Sequence, residues 1–137
     1  MRMDRLTTSL QNALSEAQSI ALGHDNNQID SVHLLLALLQ QTNNSVRTLL
    51  RKAGIQVPGF EQALHTILEQ QPKVASPDGN IQIAPELGRL LNLIDKEAQK
   101  RGDQFISSEL FVIVALEERG DVGKLLQQQG LNKKTLD

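Results

Sequence analysis

An internal echo constrains this chain more than any other feature. Asn26 to Leu39, NNQIDSVHLLLALL, and Asp103 to Leu116, DQFISSELFVIVAL, share one scheme: an isoleucine, a short polar capping stretch and an apolar block. They align without a gap at an offset of 77 residues. The alignment runs backwards as well. Leu10, Ala13, Leu14, Ala17 and Ala21 recur at three- and four-residue spacing, the stripe of an amphipathic helix, and Leu87, Leu90, Leu91, Ile94 and Ala98 repeat it. One residue is then lost, and at an offset of 76 Asp121, Val122, Leu125, Leu126 and Gly130 match Ser45, Val46, Leu49, Leu50 and Gly54, while Leu136 matches Phe60. Two versions of one helical unit must therefore pack together.

Capping signals set the boundaries. Thr7 suits an N-cap, because its hydroxyl can accept from a first-turn N–H that has no helical partner. Pro85 suits the first helical position and so makes Ala84 an N-cap, and Ala84 aligns with Thr7. Gly23 and the polar run 24–28 end the first helix. Asp30 or Ser31, and Ser107 or Ser108, cap the two apolar helices; Ser45 caps a short third one, Gly54 ends it, and Pro58 opens a fourth. Phe111 to Val114 have high β-propensity, but their alignment with leucines decides for helix. Pro72, Pro77 and the turn Pro77-Asp78-Gly79 mark a connector, in which Ile81 and Ile83 suggest a brief extended segment at the surface. The expected fold is all-α, with eight helices in two pseudo-symmetric four-helix repeats. Repeat one spans about 5–70, the connector about 71–83, and repeat two about 84–137. The second repeat is C-terminally incomplete, which suggests a piece of a longer protein.

Several function classes are excluded. A net charge of −2 and only three aromatics, Phe60, Phe105 and Phe111, provide neither a phosphate-tracking face nor a base-stacking platform, so no nucleic acid is expected. The longest apolar block falls far short of the roughly 20 residues of a membrane helix, and the N-terminus lacks a signal peptide's apolar core. With no cysteine, this points to no membrane contact and a cytoplasmic location. His24, His33 and His65 keep no metal-ligand spacing; His33 reads as a packed, hydrogen-bonded residue and the other two as solvated. Gly54 and Gly59 mimic a phosphate loop, but Phe60 and Glu61 stand where Lys and Ser or Thr are needed. Neither a catalytic site, nor a metal, nor a cofactor is expected in this chain.

What differs between the repeats points to binding. Leu93 replaces Glu16, Leu110 replaces His33, and Phe105 replaces Gln28. These extra apolar residues either cover an interface between the repeats or line a groove open to solvent. Asp103, Ser107, Ser108 and Glu109 lie beside them, where acids offset a helix dipole or rim a binding surface.

The opening MRMDRLT, the segment ALGHDNN and above all KRGDQFISSELFVIVALEERG resemble the N-terminal domains of ClpB-type proteins, the disaggregases of the Clp/Hsp100 family of AAA+ chaperones. The likeness covers essentially the whole chain, and RGD-x-FISSELF favours the ClpB type over the protease-linked ClpA and ClpC types. It implies a non-catalytic, substrate-binding module that engages unfolded or aggregated polypeptides and passes them to a hexameric AAA+ ring. ATP, magnesium and cooperation with the DnaK system belong to other domains, and the isolated domain is expected to be monomeric. Thr7, Asp103 and Glu109 match family positions tied to substrate handling, and an apolar groove is expected near Leu90, Leu93, Leu110 and Ile113. The alternative within the family is an adaptor-docking domain of a protease-linked ATPase.

Overall fold

A computed structural model describes residues 3–43, 45–75, 81–116 and 120–129. After a single 3-10 turn, Met3–Arg5, helix α1 spans Thr8–Gly23, strand β1 Gln28–Ile29, α2 Ser31–Gln40, α3 Ser45–Lys52 and α4 Val57–Glu69. Strand β2, Gln82–Ile83, then leads into α5, Pro85–Arg101, α6, Ser108–Ala115, and α7, Asp121–Gln128. Helices α5 and α6 start 77 residues after α1 and α2, and α7 starts 76 after α3, as the echo requires.

The caps explain these boundaries. The Thr7 hydroxyl accepts from the Leu10 N–H and the Ser107 hydroxyl from the Leu110 N–H, while Pro85 follows its N-cap, Ala84. Asp30 is the cap of α2, in a box that His33 closes. Gly54 takes a left-handed conformation (φ 93°), and α1 ends at Gly23 as expected. Just beyond it Asp25 takes a positive φ of 59°, and the Asn26 N–H reaches the Ala21 carbonyl at 2.9 Å.

Helix α2 is buried from Ser31 to Leu39, and α6 from Leu110 to Ala115, so these two helices form the centre of the core. Both expected stripes, Leu10 to Ala21 and Leu87 to Ala98, are buried against it. Burial of so many aliphatic side chains, each contributing about 1.5–3 kcal/mol, is what holds the helices together.

Two features depart from an all-α fold of eight helices. Strands β1 and β2 form a two-stranded parallel sheet, pairing Gln28 with Gln82 and Ile29 with Ile83. A parallel bridge also joins Leu6 to Ile106. Each arises where residues must be extended to enter an N-cap, as at Asp30, with ψ 178°, and Ala84, with ψ 143°. Two such stretches lie side by side and satisfy each other's backbone groups. Seven α-helices are present among the described residues, and the eighth, expected from Leu136, lies outside them.

Candidate functional site

The Leu6–Ile106 bridge assembles the polar part of the expected site. The Thr7 N–H donates to the Ile106 carbonyl at 3.0 Å, and the Ile106 N–H donates to the Arg5 carbonyl at 2.7 Å. This joins the start of α1 to the loop that carries Asp103 and Phe105 and leads to Glu109. Thr7 is thereby joined along one seam to the segment from Asp103 to Glu109, about a hundred positions away in sequence. Asp103 follows the left-handed Gly102 (φ 75°) that ends α5, and its N–H is tied to the Ala98 carbonyl at 2.9 Å, which leaves its side chain exposed. Glu109 is half-buried in the first turn of α6, where its charge favours the helix dipole.

The apolar residues separate into two groups. Leu93 is 43% exposed, whereas Leu90, Leu110 and Ile113 are buried in the core. Phe105, in the loop, is 53% exposed. Leu90, Leu110 and Ile113 present little surface to solvent, so most of the exposed apolar surface among these residues belongs to Leu93 and Phe105. The alignment carried this distinction. Leu93 and Phe105 match Glu16 and Gln28, which are exposed, while Leu110 matches His33, which is fully buried.

His33 is a structural residue. Its Nδ1 accepts from the Asp30 N–H at 2.8 Å, so the proton sits on Nε2, which donates to Asn26 Oδ1 at 2.9 Å. Asn26 in turn donates to the Pro72 carbonyl at 3.0 Å, which fastens the chain after α4 to the turn before β1. Burial holds the His33 pKa below its ordinary 6.5, against a smaller opposing effect of the Asp30 charge and hydrogen bond. His65 is exposed, but His24 is only partly so, and its Nδ1 lies 3.6 Å from Glu69.

No group of three metal-binding side chains occurs among the described residues. A cleft of about 450 Å³ is lined by Asp30, Glu86, Arg89 and Asp121 among others, and contains none of the expected site residues. The seam of Thr7, Asp103, Phe105 and Glu109 offers a polar rim and an aromatic face.

The profile of the Clp repeat (R) N-terminal domain matches residues 5–129. The chain belongs to the Clp N-terminal domain family. It is 48% identical over all of its 137 residues to the chaperone protein ClpB of Pseudomonas putida, and 44% identical over 98% of its length to that of Vibrio cholerae. It spans 16% of the length of each of these relatives. As a Clp N-terminal domain it is a non-catalytic module of ClpB-type proteins. The fold is also that of the Hsp104 N-terminal domain from Candida albicans, with a TM-score of 0.82 at 20% identity over 96% of this chain and 85% of that one. A ClpV N-domain in complex with a VipB peptide has a TM-score of 0.80 at 22% identity, over 97% of this Clp N-terminal domain and 82% of that chain.

Proposed function

We propose that this domain is the substrate-binding module of an ATP-dependent protein disaggregase, engaging unfolded or aggregated polypeptide and passing it to the AAA+ ring. One observation carries this: Leu93 and Phe105 are exposed while, among the described residues, the other leucines and phenylalanines are almost all buried, and Phe105 adjoins the seam of Thr7, Asp103 and Glu109. Leu93 and Phe105 contact the client. Leu90, one turn before Leu93, supports them, as do Leu110 and Ile113 on the helix that α5 packs against. The ClpV N-domain bound to a VipB peptide supports polypeptide as the ligand class for this fold. Affinity is weak, because two exposed anchors must offset the entropy of association.

In this reading the domain is one of six on a cytoplasmic hexamer whose other domains bind ATP and magnesium and meet the DnaK system. On its own it is monomeric, with no nucleic-acid or membrane partner. Titration of the domain with an unfolded model polypeptide, followed by backbone amide shifts, provides the test. Saturable shifts around Leu93 and Phe105 are expected, and both Leu93→Asp and Phe105→Ser weaken them without unfolding the domain. Unchanged amides at millimolar client would overturn the reading.

A further inference from the structure

The two pairings across the molecule are related by the same offset as the helices. Leu6 and Ile106 correspond to Ile83 and Ile29, and the Thr7 N–H to Ile106 bond corresponds to the Ala84 N–H to Ile29 bond at 2.9 Å. In a parallel ladder alternate residues turn their backbone groups to opposite sides. With Ile29 and Ile106 bonding to the residues that flank Ile83 and Leu6, the N–H and carbonyl of Ile83 and of Leu6 face away from their partners. These equivalent positions then differ in two ways.

At Leu6 the outward carbonyl is capped by Gln11 Nε2 at 3.0 Å, and the side chain is only 2% exposed. At Ile83 the residue corresponding to Gln11 is Gly88, which has no side chain to offer. No side chain among the described residues caps Ile83, and it is 42% exposed. Next to it runs a groove of about 350 Å³, lined by Leu14, Ile29, Ile81 and Ile83, with Gln11 and Gln18 among its polar residues. No charged residue lines it among the described residues.

From these differences we infer that the outer edge of β2 is a second docking site, and that its occupant is an extended, uncharged segment of client polypeptide added as a third strand beside Ile83. The outward N–H and carbonyl dictate an extended backbone, since only a strand presents an acceptor and a donor at that spacing. The lining dictates the side chains. A charge placed against four aliphatic residues and neutral glutamines would lose hydration without gaining a partner, whereas alternate β-branched residues would cover Ile81 and Ile83. This inference rests on the substrate-binding reading and adds to it a site on the opposite pairing, with its own chemistry.

The probe is the capped peptide acetyl-Val-Thr-Val-Thr-Val-amide, titrated into the whole domain, with amide and methyl shifts as the readout. Saturable changes are expected at the Ile83 and Ala84 amides and at the Leu14 and Ile29 methyls. Methylation of the peptide's central nitrogen keeps its apolar surface, removes a strand hydrogen bond and lowers affinity about tenfold. Ile83→Asp abolishes binding. Gly88→Gln, whose Cβ meets nothing within 4 Å, supplies the missing cap and competes with the peptide, so it also weakens binding without disturbing the core. Equal binding of the methylated peptide would overturn strand addition. Shifts confined to Leu93 and Phe105 would remove this second site and leave the substrate-binding reading intact, whereas no shifts with either the peptide or an unfolded polypeptide would remove both.

Discussion

Engaging both ring nitrogens of a buried histidine fixes its charge. His33 must stay neutral, because Nδ1 accepts from Asp30 while Nε2 donates to Asn26, and a proton on Nδ1 would set two donors face to face. Its folded-state pKa lies below 6.5, chiefly through burial. The stabilisation is therefore fully present above pH 6.5 and is lost as pH falls below it, because the unfolded chain takes up a proton that the folded one refuses. The expected loss approaches about 1.4 kcal/mol per pH unit until the folded pKa is reached. Urea denaturation of the wild-type domain and of His33→Gln between pH 5 and pH 7 measures this. A slope that survives the substitution would place the effect elsewhere. Thr7 allows a simpler comparison at the same scale: Thr7→Ala removes the α1 cap and should cost about 1 kcal/mol. Only a larger loss of client binding than this destabilisation explains would give Thr7 a role in contact as well.

At the scale of elements, α5 and α6 show which sequence signals were legible. Proline positions and capping hydroxyls located the starts of α1, α5 and α6, because N-cap chemistry is local and does not depend on tertiary context. Helix α6 was legible despite its β-branched residues, since its leucine-rich counterpart α2 settled what propensity left open. The sheet was not legible as such. Strands of two residues have no periodicity, and the pairing of 28–29 with 82–83 is decided by how helices more than fifty residues apart pack. The groove expected from Leu90, Leu93, Leu110 and Ile113 combined surface with core, because an apolar residue type does not reveal which way it faces. Stability separates them. Leu110→Ala removes a buried side chain and should cost about 2–5 kcal/mol, while Leu93→Ala should change stability by less than about 0.5 kcal/mol. Thermal denaturation of the two variants reads this directly, and similar Tm values would contradict the burial described.

For the molecule as a whole, the reciprocal pairings make two similar halves behave as one. Leu6 precedes α1 but pairs with Ile106 before α6, and Ile83 precedes α5 but pairs with Ile29 before α2. Arg5 adds an ion pair to Asp95 on α5, at 3.1 Å, though its angles fall short of a hydrogen bond. Each half thus supplies the extended residue that completes the other, and α3 packs on α6 as α4 packs on α7. A tandem repeat whose units meet only at an interface can unfold unit by unit, but this topology exposes both halves when either opens. Leu6→Ala tests the difference, because the substitution lies in the first half and the lost contact in both. It should lower stability by about 2–5 kcal/mol. Hydrogen exchange should quicken by a similar factor in α2 and α6, the two central helices, and calorimetry should still show one transition. Faster exchange confined to α1 and α2 would mean that the halves are neighbours rather than interlocked parts, and that the pairing of Leu6 with Ile106 contributes little to cooperativity.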